Sequence, residues 1–197
     1  MGELKPARRR ALTVAFTITV ATALRAGLGL PFAAHAQAPG GGAETQIKAA
    51  FLFKFLGFVE WPPQAFSRPD APLVIGVLGA NPLADELAQV VATRQSSGRP
   101  EAVRRLKPGD ATADLHVLFV ARSEASRLPA LVAAAREHPM LIVTEADDAM
   151  PAGSAINFVI VEDKVRFDVA LLAAEKANLR ISARLLTVAR KVLPGSS

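Results

Sequence analysis

Short apolar runs alternate along the chain with longer stretches in which apolar residues recur at helical spacing. The first long stretch, Glu44–Trp61, repeats apolar side chains every three or four positions and is followed by Pro62 and Pro63. This spacing predicts a helix that ends before the prolines. The stretch contains few polar residues, so we expect a helix that is covered on most sides or shared with a partner.

Buried strands are predicted at three short apolar runs, namely Pro72–Gly79, Leu115–Ala121 and Met140–Thr144. A helical pattern at Leu83–Thr93 follows the first run. A second helix, capped by Ser123 or Ser126 and ending near Glu137, separates the other two. Gly98–Leu106 contains a proline and several charges, which favours an edge strand.

The C-terminal part of the chain has a different pattern. Ala155–Val161 and Val165–Val169 flank a polar turn and predict a β-hairpin. Ala170–Asn178 predicts a helix whose last residue adopts the left-handed conformation. Ser182 predicts the cap of a last amphipathic helix that runs to Leu193. The whole pattern predicts a single α/β domain with a mixed, mostly parallel sheet, helices on both faces and a C-terminal β-hairpin.

The residues before this domain are organised like an export signal. Three arginines (Arg8–Arg10) precede the uncharged apolar run Ala11–Leu24, and Ala34–Ala36 (AHA) has the small-x-small pattern of a cleavage site. An uncleaved anchor stays open, because a second apolar stretch follows Arg25. The predicted segments are a signal peptide over residues 1–36, a flexible tail over 37–43 and the domain over 44–194. The signal therefore predicts export, and the compartment follows from the family resemblance given below, which implies the periplasm.

The charge of the whole chain comes mostly from the predicted signal peptide. The chain has 197 residues, with 23 Lys and Arg against 18 Asp and Glu, and a formal net charge of +5. The signal peptide carries five of the basic residues and one acidic residue, which leaves a net charge of +1 for the remainder. A nearly neutral domain gives no reason to predict a nucleic-acid partner.

The residue inventory offers little catalytic chemistry. The chain has no cysteine and three histidines, which excludes a thiol nucleophile, a disulfide and a Cys-ligated metal. His116 has Asp114 nearby and His138 lies before a proline, yet no nucleophile motif accompanies either histidine. The carboxylates within Glu145–Asp148 do not fit a calcium loop. The sequence therefore predicts no metal and no cofactor, and an envelope hydrolase that uses His116 or His138 is only an alternative.

A series of motifs runs through the domain in order. They are Phe53–Pro62 (FKFLGFVEWP), Ile75–Gly79 (IGVLG), Gly98–Arg99, His116–Phe119 (HVLF), Gly153 with Ile156–Phe158, Val165–Val169 (VRFDV), and Leu179 with Ile181, Ser182, Leu185 and Leu186. Together they resemble the YfiR family of periplasmic regulatory proteins, over about residues 45–193.

The chain departs from the pattern of that family at three positions. Leu115 stands where the family often has cysteine, Ala170 where it tends to have asparagine, and Asn178 where it tends to have glycine. The missing thiol puts in doubt any redox control or disulfide-linked dimer of the kind attributed to some relatives.

The resemblance implies a non-enzymatic regulator without a cofactor. It implies binding to the periplasmic region of an inner-membrane diguanylate cyclase or sensor kinase, and repression of that protein. Cyclic-di-GMP and biofilm formation would then be under its control. An outer-membrane-associated protein as a second partner, and a homodimer, are further expectations from the resemblance.

We expect the partner contact on the hairpin and on the residues that follow it. The predicted contact residues are Phe158, Glu162, Arg166, Phe167, Lys176 and Arg180. The alternative function is a small-ligand-binding sensor module that feeds a sensor kinase, with Gly79, Asn81 and Asn157 as the polar groups of a cleft.

Overall fold

Strands and helices alternate along the part of the chain that the structure describes. The structure is a computed structural model and describes residues 41–94, 99–136, 138–147 and 149–195. The elements in chain order are α1 (Gly41–Leu56), β1 (Val59–Glu60), β2 (Leu73–Leu78), α2 (Asn81–Thr93), β3 (Glu101–Leu106), β4 (Val117–Val120), α3 (Leu128–Ala134), β5 (Leu141–Glu145), β6 (Ile156–Val161), β7 (Lys164–Ala170), α4 (Leu171–Lys176), β8 (Arg180–Ile181), α5 (Ala183–Leu186) and β9 (Lys191–Leu193). Short 3-10 helices cover Pro63–Ala65 and Arg122–Arg127.

Seven of these strands form the main sheet, in the order β3-β2-β4-β5-β6-β7-β9. The pairs are parallel except β6 with β7, which forms an antiparallel hairpin. This confirms the predicted mixed, mostly parallel sheet with a C-terminal hairpin, and it confirms β3 as an edge strand. β1 and β8 form a separate two-stranded antiparallel sheet.

Both faces of the main sheet are covered, because its central strands are apolar on both sides. Every residue of β4 is buried. Val117 and Phe119 belong to the core cluster that includes α1 and α2, whereas Leu118 and Val120 belong to the cluster that includes Leu128 of α3. Alternating side chains of one strand point to opposite faces, so the predicted placement of helices on both faces is confirmed.

A cluster of phenylalanine rings packs α1 against the hairpin. Phe55 of α1 lies with its ring centroid 5.2 Å from that of Phe167 and 5.9 Å from that of Phe158. Phe51, one helical turn earlier, contacts Phe167 at 5.3 Å. Phe119 of β4 extends the cluster to Phe158 at 6.3 Å. These distances are typical of favourable edge-to-face and offset aromatic pairs, so the cluster connects α1 to both strands of the hairpin.

The first helix differs from its prediction at both ends. It begins at Gly41, inside the segment predicted to be a flexible tail, and it ends at Leu56 rather than near Trp61. The residues that follow form β1, which pairs with Arg180–Ile181. The Ser182 amide also donates to the Phe58 carbonyl oxygen at 2.9 Å. This pairing with a distant segment removes the last turn of the predicted helix, and local spacing does not encode it.

The C-terminal segment also differs from its prediction. Ser182 caps α5, since its Oγ accepts from the Arg184 amide at 3.3 Å, but this helix ends at Leu186 rather than Leu193. Residues up to Leu193 instead form β9 beside β7. Arg190 makes this possible: its amide donates to the Phe167 carbonyl oxygen at 2.8 Å and its side chain pairs with Asp168.

Three local predictions have separate outcomes. No side chain caps α3, so the predicted cap at Ser123 or Ser126 is wrong; a 3-10 helix leads into α3 instead. The two-residue turn of the hairpin holds Glu162 and Asp163 at positive φ, which matches the twist of the paired strands. Asn178 has a φ of 55°, as predicted for the end of α4.

Some predictions lie outside the described residues. They are the signal peptide over 1–36, the tail over 37–40, Gly98 at the start of the edge strand and Glu137 at the predicted end of the third helix. Among the residues that are described, no helix has the length and apolar character required to cross a membrane.

The phenylalanine cluster predicts the effect of removing one ring. Phe55→Ala should lower the free energy of unfolding by about 3 to 5 kcal/mol, because Phe55 is fully buried and a cavity would remain. Val188→Ala is the control, since Val188 is 62% exposed, and should change it by less than about 0.5 kcal/mol. Urea titration followed by circular dichroism measures both. Equal effects of the two substitutions would contradict the role given to the cluster.

Candidate partner-binding surface

The two aromatic residues predicted as partner contacts lie in the core. Phe158 and Phe167 are each 1% exposed and are directly opposite one another in the hairpin. Their side chains point to the face that α1 covers, where they pack on Phe55. Neither ring can reach a partner, so the prediction is corrected for these two residues. The reason is the two-residue period of a strand, which places both rings on the covered face.

The charged hairpin residues do lie on the surface. Glu162 occupies the turn, and Arg166 is exposed on β7 opposite Val159. Because Arg166 is adjacent in sequence to the buried Phe167, it points to the face opposite α1. Ile160, close to the turn, is 47% exposed. The hairpin tip therefore combines two charges and one apolar side chain.

One edge of β7 is open near this tip. On the side away from β6, β9 pairs with Asp168–Ala170 only. Among the described residues, no strand pairs with Lys164–Arg166 on that side. Unpaired strand edges of this kind can accept a strand from another chain.

Lys176 and Arg180 lie at the other end of β7. α4 starts where β7 ends, and β7 spans about 20 Å from Lys164 to Ala170. The two cations also border different surfaces. Lys176 borders an apolar groove between α3 and α4, whereas Arg180 lines a cleft together with Glu60, its partner position in β1. The six predicted contact residues thus occupy the core, the hairpin tip and the opposite end of β7.

The predicted ligand-binding residues are not brought together. Gly79 and Asn81 lie at the turn from β2 to α2, and β4 and β5 separate β2 from the strand that holds Asn157. Asn157 is fully buried, with its Oδ1 accepting from Thr144 Oγ1 at 2.8 Å and its Nδ2 donating to the Ala146 carbonyl oxygen at 3.1 Å. The hydrogen bonds of its side chain are therefore made within the protein. Gly79, Asn81 and Asn157 do not line a common cleft.

Gly79 itself is required by the packing of its turn. Its φ is +79°, and a Cβ atom there would lie 2.7 Å from Cγ of Glu124 and 2.9 Å from Oγ of Ser123. The glycine is therefore explained by the close approach of the two loops rather than by a ligand.

A buried ion-pair network at the carboxyl end of β5 is a feature that sequence reasoning missed. Lys48 of α1 is 8% exposed and pairs with Glu145 at 2.6 Å and with Glu44. The other carboxylate oxygen of Glu145 accepts from the Arg122 amide at 3.2 Å, and Arg122 pairs with Asp147. Burial alone lowers the pKa of Lys48, but the hydrogen bonds and charges of the two glutamates outweigh burial and raise it.

Lys48 was visible in the sequence as one of the few polar residues of the apolar first helix. The carboxylates were visible too, but nothing in their spacing paired them with a residue almost a hundred positions away. Asp148, the third carboxylate of that segment, lies outside the described residues.

The histidines do not form an acid–base pair with Asp114. The His116 ring stacks on Phe66 with centroids 4.7 Å apart, and its Nδ1 accepts from the Val74 amide at 3.2 Å. Asp114 instead pairs with Arg104 at 3.1 Å. His138 lies 3.0 Å from the Thr112 carbonyl oxygen through its Nε2. No group of three or more His, Asp or Glu side chains within the described ranges is placed to hold a metal ion.

The fold and surface define an α/β domain with a charged, open-edged hairpin. A sequence model of the YfiR/HmsC-like family matches residues 45–190, from α1 to the residue before β9. The match covers more than half of the chain, and the chain belongs to this family, as the motifs had predicted. YfiR-like proteins form a periplasmic, regulatory and non-catalytic family. No curated protein matched the chain in sequence.

The environment of His116 predicts a loss of stability in mild acid. Burial lowers the pKa of His116 below 6.5, because the charged imidazole loses its hydration. The nearby Ala65 carbonyl oxygen raises the pKa in part, although it does not reach hydrogen-bond geometry. The charges of Arg99 and His138 lower the pKa further. The unfolded chain therefore binds a proton first as the pH falls below about 6.5, and the folded state loses stability between that pH and its own lower pKa. Between pH 7 and pH 5.5 the loss should be up to about 1 kcal/mol.

Urea titrations at several pH values measure this dependence. His116→Gln should reduce the slope of unfolding free energy against pH, whereas His138→Gln should keep most of it. An unchanged slope in the His116 variant would show that other groups cause the acid sensitivity.

The network around Lys48 predicts a second stability effect. Lys48→Met should lower the free energy of unfolding by about 2 kcal/mol, because Glu145 would lose its charged partner in a half-buried place. Lys54→Met is the matched control on the same helix, since Lys54 is exposed. Its free energy of unfolding should stay within about 0.5 kcal/mol of that of the unsubstituted protein. Thermal and urea unfolding measure both variants. An unchanged free energy of unfolding in Lys48→Met would mean that the ion pairs do not stabilise the fold.

Proposed function

We propose that this protein is a non-enzymatic periplasmic regulator. It binds the periplasmic region of a membrane-bound signalling protein, a diguanylate cyclase, and represses it, so that it controls cyclic-di-GMP and biofilm formation. The observation that carries the proposal is the family match over residues 45–190, since this family is regulatory. Export by the signal peptide over residues 1–36 is part of the proposal.

The hairpin tip supports a docking role. Glu162 is exposed in the turn, Arg166 is exposed on the face away from α1 and Ile160 on the other face, and the backbone edge of β7 is open. An open strand edge flanked by exposed charges can pair with a strand of another chain. The tip is also held rigidly, because the phenylalanine cluster fixes the other half of the hairpin to α1.

Repression requires that the docked partner be bound more tightly in its inactive state. A regulator that binds the active and the inactive state of a cyclase with equal affinity does not change the equilibrium between them. Lys176 and Arg180, which border two different surfaces at the opposite end of β7, are proposed as further contact residues. An outer-membrane-associated protein and a second copy of this chain are further proposed partners, and both could compete for these surfaces.

A charge reversal at the hairpin tip tests the docking surface. Glu162→Lys combined with Arg166→Glu should weaken binding to the partner by at least about tenfold, because rim charges set complementarity and register. The assay is interferometry against purified periplasmic regions of the inner-membrane diguanylate cyclases of the same cell. Arg184→Glu, an exposed reversal on α5, is the control and should bind normally.

Deletion of the gene tests the function itself. Cellular cyclic-di-GMP should rise, and the wild-type chain should restore the low level while the charge-reversed variant should not. An unchanged cyclic-di-GMP level after deletion, together with no complex with any of the cyclases, would reject the proposed function.

A further inference from the structure

An apolar groove of about 670 Å³ lies between α3 and α4. It is bordered by Val132 of α3 and Leu172 of α4. Ile142 of β5, Leu193 of β9 and Ala155, just before β6, also line it. Leu172 is 39% exposed although it is a large apolar residue. The volume falls in the range of sites that bind one small molecule. The groove is distinct from the hairpin tip, which lies at the other end of β7.

One wall of the groove is formed by close packing of the loop before β6 against α3. The loop before β6 approaches α3 at Gly153, where a Cβ atom would lie 2.5 Å from Cγ2 of Val132. Gly153 also has a φ of +85°, which disfavours other residues. Only glycine allows this close approach, so the loop and α3 form a continuous apolar surface.

The charged residues that line the groove, among those that the structure describes, are cations. They are Arg136, just after α3, and Lys176, at the end of α4. Among the described residues, neither cation has an ion-pair partner. An apolar surface with two unneutralised cations at its border is complementary to a ligand that is apolar along its length and anionic at one end.

We propose that this groove binds a single-chain fatty carboxylate of medium length. The alkyl chain lies along the apolar surface between Val132 and Leu172, and the carboxylate is bound by Arg136 and Lys176. This inference does not depend on the proposed function, because it concerns a small ligand rather than a protein partner. Lys176 is also a proposed partner contact, so a bound ligand would change the charge offered to a partner there.

The binding of decanoate to the exported protein tests the proposal. Isothermal titration below the critical micelle concentration should detect binding of decanoate and no binding of acetate. Methyl decanoate, which has the chain without the charge, should bind at least about tenfold more weakly. Affinity should rise by about fourfold for each added methylene from octanoate to decanoate, because each methylene is removed from water.

Three variants locate the site. Arg136→Ala with Lys176→Ala should reduce decanoate affinity to that of the methyl ester, and Arg136→Lys with Lys176→Arg should restore most of it. Ala152→Trp places a large ring from an exposed lining position into the groove and should abolish binding without changing the melting temperature. Arg184→Ala is the control and should bind decanoate normally.

Several results would overturn the inference. They are no decanoate binding, equal affinity for decanoate and its methyl ester, or binding that survives Ala152→Trp. If the protein floats with anionic vesicles but does not bind free decanoate, the groove would instead be a contact site for a membrane surface. A dimer in sedimentation that Ala152→Trp disrupts would assign it to a second copy of the chain.

Discussion

The packing of α1 on the hairpin through phenylalanine rings is the contact on which the rest of the structure depends. Phe55 lies against both Phe158 and Phe167, so one side chain joins the N-terminal helix to two strands more than a hundred residues later. Large aromatic rings supply much of the apolar area that a core buries. A chain without cysteine has no covalent link to replace this contact.

The cluster also determines which hairpin residues face solvent. Because Phe158 and Phe167 are opposite one another and both point to α1, Arg166 is placed on the other face. The tip at Glu162 extends beyond the region that β9 pairs with. Core packing and the proposed docking surface are therefore two consequences of one strand register, and a one-residue slip would exchange the buried and exposed sets.

Ion pairs have a different role at the other end of α1. Lys48 is surrounded by Glu44 and Glu145, and Glu145 is in turn bound by the Arg122 amide. A buried charge is tolerated only where partners replace its hydration. The network therefore specifies the position of the helix start relative to β5, while the aromatic cluster supplies the apolar contact.

Much of the fold could be predicted from local patterns. The buried strands, the edge strand and the hairpin follow from apolar periodicity and turn residues, and the left-handed Asn178 follows from its place after a helix. The motifs from Phe53 to Leu186 also predicted the family. The candidate site was less predictable, because a list of charged and aromatic residues near one hairpin does not state which of them are exposed.

The sequence by itself determined the secondary-structure class, the positions of strands β2 to β7 and the family, because these depend on residues that are close together in the chain. Only the tertiary structure decided that α1 stops at Leu56, that the last segment is β9, and that Lys48 is paired with Glu145. Each of these depends on contacts between distant segments. Such contacts override local helix propensity and determine which residues are buried, and the spacing of neighbouring residues does not predict them.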